Sequence, residues 1–244
     1  MQSRTGDVES GPPAPAGDAS CPGMLESPQL RWAFVRKVYA ILLSQLLLTA
    51  GVAAAVALVK PVSRFIAETW PGSMVVLVLV VLVFILMRAL SSHHKRYPVN
   101  FVLLGLYTVT LAFMVGLACA FMEEKIILES AILTSVAIVA LTCYTFWAVK
   151  RGRDFSFLAP FLFASLLVLL VFTLIQIFFP LGKLSTMIHG CLGAIVFAAY
   201  IVYDTGNLIK RLSYDEYIWA AVALYLDVLN LFLSFINIFG SADC

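Results

Sequence analysis

Apolar residues run through this chain in long blocks rather than in alternation. Seven such runs, Val38–Val59, Ser73–Leu90, Val99–Met122, Ile126–Val149, Phe155–Phe179, Thr186–Ile209 and Tyr217–Phe239, come close to the ~20 residues that a helix needs to cross a bilayer core. The breaks between them carry turn or charge signals: Lys60-Pro61, Trp70-Pro71-Gly72, His93 to Pro98, Glu123 to Lys125, Lys150 to Asp154, Pro180 to Lys183 and Lys210 to Glu216. Connections this short leave no room for a soluble domain, and the Glu123–Lys125 break is so brief that the third and fourth helices are expected to form a tight hairpin. The pattern predicts an all-α membrane protein, a seven-helix bundle over residues 31–244.

Residues 1–30 are rich in Gly, Pro, Ser and acids, with Gly11-Pro12-Pro13-Ala14-Pro15-Ala16-Gly17 in the middle. Such a segment buries too little apolar surface to offset its ordering entropy and is expected to be a disordered cytosolic tail. It does not read as a signal peptide, because the apolar run starts late, after Arg36 and Lys37, without a small-residue cleavage site. The first helix is therefore expected to serve as the insertion signal.

Composition agrees with lipid as the solvent: 62% of residues are hydrophobic, 12% are charged, and the mean hydropathy is +0.98. A net charge of only +2, with no long basic block, makes nucleic acid an unexpected partner. The five cysteines, Cys21, Cys119, Cys143, Cys191 and Cys244, include no C-x-x-C pair and argue against a zinc site or a disulfide framework. No nucleotide-binding motif is present, and no cofactor is expected. Lys and Arg orient the bundle. Arg31, Arg36, Lys37, Arg88, Lys95, Arg96, Lys150, Arg151, Arg153, Lys210 and Arg211 fall on one side, and Lys60, Arg64, Lys125 and Lys183 on the other, which puts the N-terminus in the cytosol. Seven full spans carry the C-terminus to the far side, whereas a re-entrant seventh helix returns it.

The chemistry concentrates in the last hairpin, Ile201–Asn237, where Asp204 and Asp227 stand in segments apolar enough for a membrane. An intramembrane acid is costly and points to function. Ala220, Ala223, Asp227, Asn230, Ser234 and Asn237 recur in steps of three and four, so they share one face of helix 7, while large apolar residues cover the rest. A small, polar seam fits a protein interior or a water path. Measured from Trp219 and Lys210, the two acids lie about 12 and 9 Å deep, so they can pair across antiparallel helices. Two acids in a low-dielectric site titrate as a unit. Sharing a proton ties the helices together, and losing it drives repulsion or recruits a cation. The plainer alternative has Asp204 capping a helix end and bonding Tyr203 or Asn207, with Asp227 bonding a neighbouring helix.

Arg88, near the end of helix 2, is a candidate counter-ion that locks one acid in a closed state; alternatively it snorkels. Glu129, with His189, Glu123 and Glu124, could line an acidic vestibule on the far side, or these are solvated interfacial groups. Thr108, Ala112, Gly116 and Ala120 on helix 3, and Gly190, Ala194 and Ala198 on helix 6, form small-residue faces that let backbones approach.

The segments Ile201–Lys210 (IVYDTGNLIK) and Leu224–Phe232 (LYLDVLNLF) resemble the signature of the Bax inhibitor/lifeguard family, the transmembrane Bax inhibitor motif proteins. Tyr97–Phe101 (YPVNF), Tyr107-Thr108 and Leu128-Glu129 are also similar to that family, and Tyr214–Trp219 (YDEYIW) looks closest to its plant lifeguard branch. The resemblance covers residues 30–240. It implies helix 7 at the centre of the other six, a pH-sensitive calcium leak across endomembranes, and restraint of programmed cell death. Asp204 and Asp227 match the family's di-aspartyl sensor, which would hold Ca2+ transiently, and Arg88 falls where the family carries the paired arginine. Gly206 departs from the pattern, since a polar residue is more usual there in the close branch; a glycine is expected to loosen that helix end.

Three functions compete. The first is a calcium leak gated by Asp204 and Asp227, with Asn230, Ser234, Asn237 and Glu129 along the ion path. The second is an intramembrane aspartyl protease, disfavoured because Asp227 lies in L-Y-L-D, not G-x-G-D, with no P-A-L following. The third is a non-transporting scaffold that modulates cell-death membrane proteins. Lipid and calcium ions are the expected partners, and the endoplasmic reticulum or Golgi the expected membrane, with plasma membrane and vacuole as further places.

Overall fold

The computed structural model describes residues 28–59, 65–66, 69–93, 97–179 and 181–242. Expectations about the tail up to residue 27 and about Lys60, Pro61, Arg64, His94, Lys95, Arg96, Pro180, Cys21 and Cys244 lie outside the described residues. The elements are α1 (Pro28–Leu58), α2 (Trp70–His93), α3 (Val99–Cys119), α4 (Glu124–Lys150), α5 (Leu158–Phe178), α6 (Lys183–Lys210), a short 3-10 turn (Tyr214–Glu216) and α7 (Tyr217–Ala242). All 7 helices are long and apolar enough to cross a membrane. No strand occurs among the described residues.

Helix ends differ from the apolar runs where packing or capping overrides hydropathy. Helix α1 begins at Pro28, well before Val38, because Phe34, Val35 and Val38 are buried with Leu208, Ala221 and Leu224 in one cluster. Its Arg31 anchors that end by donating from Nε to the Ile209 carbonyl and from Nη1 to the Leu212 carbonyl, each at 2.7 Å. Trp70-Pro71-Gly72, expected as a break, is the first turn of α2, where proline's missing N–H goes unused. Thr69 caps it, its hydroxyl accepting the Gly72 N–H at 3.2 Å. Helix α7 follows a capping box in which the Ser213 N–H donates to the Glu216 carboxylate at 3.0 Å. It then runs unbroken to Ala242, where Gly240 lies against Met122, and is long enough to cross a membrane.

The last helix occupies the middle. It packs most extensively on α6 and also on α4, α1 and α3, while α2 reaches it through Leu86 and Leu90, clustered with Ile218 and Val222. Helix α5 stands outside, packed on α6. The expected tight hairpin of the third and fourth helices is a short turn only. The two helices splay, α3 packing on α1, α2 and α7 and α4 on α6 and α7, because the apolar surface of α7 fills the space that a hairpin would have closed. The small-residue faces do bring backbones together. Gly116 of α3 sits so close to α1 that a Cβ there would meet Val56 Cβ at 2.8 Å and Ala53 Cα at 3.0 Å. On α6, a Cβ at Gly193 would meet Ser234 Oγ at 2.6 Å, and one at Gly190 the Ser234 carbonyl oxygen at 2.8 Å.

Gly193→Leu is therefore expected to destabilise the bundle by about 1–3 kcal/mol through overpacking. Gly51→Leu, with nothing within 4 Å of its Cβ position, is expected to leave stability unchanged. Thermal scans of the purified variants in detergent check both; equal midpoints would refute the close α6–α7 approach.

Candidate functional site

Asp204 lies two turns before the end of α6, and Asp227 in the third turn of α7. The helices are antiparallel neighbours, so the acids come to one level. Their carboxyls lie close enough to interact with each other, and that of Asp204 also lies near the Asn207 side chain. Asp227 is 7% exposed, and its Oδ2 is buried without a hydrogen-bond partner. An oxygen left in that state can take a proton, a hydrogen bond or a cation, since a bare carboxylate in a low-dielectric interior is costly.

Several residues around the pair carry no sequence signal of their own. Tyr200 is close enough to both acids to feel their charges; its position one turn before Asp204 on the same face of α6 was the available clue. The Tyr39 hydroxyl reaches Thr142 Oγ1 and Thr205 Oγ1, each at 3.4 Å, and joins α1, α4 and α6 at the position after Asp204. Tyr225 is fully buried and pairs with Thr49 Oγ1 at 2.6 Å, toward α1.

The remaining candidates lie apart. Arg88 is exposed on α2, and among the described residues it forms no ion pair with Asp204 or Asp227. Glu129 is bound to its own helix by Lys125, Nζ to Oε1 3.9 Å, while Glu123 and Glu124 are exposed. His189 is a helix-to-helix contact, its Nε2 at 3.0 Å from Thr173 Oγ1 of α5 and its ring edge-on to Phe172. The polar side chains of the seam beyond Asp227 are bonded within α7 or packed on α6. Asn230 Nδ2 donates to the Leu226 carbonyl at 2.8 Å, Ser234 Oγ donates to the Asn230 carbonyl at 2.7 Å, and Ser234 rests on Gly193. Asn237 lies against Gly190 on the same interface. Among the described residues no group of three or more His, Cys, Asp or Glu side chains gathers. Two carboxyls supply only part of the roughly six to eight oxygens that calcium takes.

Beyond Asp204 the end of α6 is strapped by the α4–α5 connection. Arg211 pairs with Asp154 at 3.2 Å and also bonds Ser156, and Lys210 donates to the Arg153 carbonyl. The Ser156 hydroxyl, donating at 2.7 Å, with help from the Arg211 and Lys210 charges, holds the exposed Asp154 carboxyl below its usual 3.8. A depressed carboxyl contributes above its usual value and is lost only as pH falls below it, so this strap is intact at neutral pH. Gly206 is helical and buried, and a Cβ there would meet Phe155 Cδ2 at 3.0 Å. The expectation that it loosens the helix end is corrected: α6 continues to Lys210, and the missing side chain admits the Phe155 ring.

The chain is similar to known proteins over most of its length. The family model described as "Inhibitor of apoptosis-promoting Bax1" matches residues 31–244. The chain is 58% identical to Protein LIFEGUARD 4 of Arabidopsis thaliana, over 98% of this chain and 97% of that one. It is 35% identical to Protein lifeguard 4 of Mus musculus (85% and 84% covered) and 35% identical to the Golgi anti-apoptotic protein of Vaccinia virus (87% and 86% covered).

Asparagine at position 227 keeps the shape and a hydrogen bond but removes one of two like charges. Asp227→Asn is expected to raise the thermal midpoint in detergent at alkaline pH by a few degrees, for about 1–2 kcal/mol. A lower midpoint would mean that the second acid stabilises the helix pair.

Proposed function

The chain belongs to the Bax inhibitor/lifeguard family, whose members restrain cell death, and from that premise we propose that it is a calcium leak of endomembranes gated by Asp204 and Asp227. The observation that carries the reading is the approach of two carboxyls from adjacent helices inside an apolar bundle, one oxygen of the pair having no protein partner. While the pair shares a proton, α6 and α7 stay together and Ser234 remains seated on Gly193, which is the closed arrangement. Loss of that proton leaves two charges to repel each other or to take a cation from the aqueous side. Separation of α6 from α7 would then uncover Asn230, Ser234 and Asn237, which now bond within α7 or pack against α6. A cation is released as readily as it is bound where only two acids meet it.

The N-terminus is assigned to the cytosol on the excess of Lys and Arg at that end. The viral relative's name places that protein in the Golgi, which supports an endomembrane site for this one. Arg88 has no role in the closed pair, because its side chain is exposed on α2.

The test is calcium efflux from proteoliposomes holding the purified protein alone, scanned between about pH 5 and 8. Wild type is expected to leak with a pH dependence that Asp204→Asn and Asp227→Asn each flatten. Flux equal to that of empty vesicles at every pH would favour a scaffold acting through other membrane proteins. Arg88→Ala is expected to leave the resting leak unchanged; a raised leak would restore the lock and require Arg88 to swing inward.

A further inference from the structure

A cavity of about 430 Å³ opens on the outer face of the bundle at its basic end, between α4, the α4–α5 connection, α5 and α6. Its wall is apolar, made by Phe155, Phe157, Leu158, Ala199 and Val202, with Tyr144 at the side and Arg153 and Asp154 at the rim. These helices cross the membrane, so the apolar wall faces acyl chains and the rim lies at headgroup level.

Cations neighbour the rim along the chain and across from it, and they are unequally employed. Lys150 lies over the Trp32 ring and Arg151 over the Trp147 ring, at 5.8 and 4.2 Å from the ring centroids. Lys210 is taken by the Arg153 carbonyl and Arg211 by Asp154 and Ser156. The Arg153 guanidinium is exposed and has no hydrogen bond or ion pair among the described residues, although it lines the cavity. Asp154, the one acid of the lining, is already engaged by Ser156 and Arg211. An unspent planar guanidinium set over an apolar slot matches a phosphate with a hydrocarbon tail.

We propose that this cavity binds one anionic phospholipid of the adjoining leaflet, its phosphate held by Arg153 and an acyl chain laid along Phe157, Leu158, Ala199 and Val202. A soluble anion would leave the apolar wall unused, and a zwitterionic lipid brings no net charge to Arg153, the one cation of the lining. The occupant would lie against α6 within a turn of Asp204, beside the Phe155 ring that rests on Gly206.

The test is native mass spectrometry of the purified full chain in detergent with phosphatidic acid, with phosphatidylcholine of the same chains, and with glycerol 3-phosphate. Phosphatidic acid is expected to be retained several-fold more than phosphatidylcholine, and glycerol 3-phosphate not at all. Arg153→Gln is expected to weaken phosphatidic acid retention by about fivefold, the loss of one cation from an anionic headgroup. Ala199→Phe, which fills the slot, is expected to abolish it. Lys125→Gln at the opposite end of the bundle is expected to change nothing. Equal retention of phosphatidylcholine, retention of glycerol 3-phosphate, or wild-type binding by Arg153→Gln would each overturn the proposal. Should Ala199→Phe fail to fold, the exposed Arg153 decides alone.

Discussion

A carboxyl group buried among hydrocarbon side chains has to be matched, and here the match is a second carboxyl from the next helix. The distance between Asp204 and Asp227 is not set by the acids. It is set further along the interface, where Gly190 and Gly193 let α6 rest directly on Ser234 of α7. In lipid, apolar surface gains little by leaving its solvent, so close packing of small residues carries helix association. A larger side chain at either glycine would hold the acids apart and leave each buried alone, the costlier state.

The rest of the bundle keeps α7 fixed while leaving the acids few other partners. Helix α1 holds α7 through Thr49 and Tyr225 and holds α3 through Gln45, whose Nε2 donates to Thr108 Oγ1 at 3.0 Å. Bonds of this kind are worth only about 0.6 kcal/mol each between membrane helices, so they register the helices more than they bind them. Lys37 lies 3.5 Å from the Tyr217 ring centroid, and Asn100 donates to the Tyr217 hydroxyl, which pins the start of α7 from two sides. The mobile partner of the pair is therefore more easily α6 than α7.

The number of helices was legible because each run had to be long and apolar to live in lipid, and the acids were legible because they broke that rule. Asp227 could be placed on an inward seam by spacing alone, since Asp227, Asn230 and Ser234 share a face at helical period. The start of α1 was not legible, since Arg36 and Lys37 look like a boundary until Phe34 and Val35 are seen buried. The relation of α3 to α4 was misleading, because loop length constrains where helices begin and not what fills the space between them. Arg88 shows the same limit: its position near a helix end follows from the chain, but the direction its side chain faces depends on how α2 packs. Gly206 looked like a weakness and is a contact, because a glycine's purpose lies in what approaches it.

The two ends of α6 are held by different kinds of force, and that difference gives the acid pair its setting. Toward Lys183 the helix is fixed by backbone-close packing on α7 and by the contact of His189 with Thr173 and Phe172. Toward Lys210 it is held by Phe155 against Gly206 and by exposed bonds from Lys210 and Arg211 to the α4–α5 connection. Exposed charge pairs are weak and screened by salt, whereas glycine-mediated packing is neither. Asp204 stands on the weakly held side of that divide, in the part of α6 that small changes in charge can displace while the Gly193–Ser234 contact acts as the fixed point.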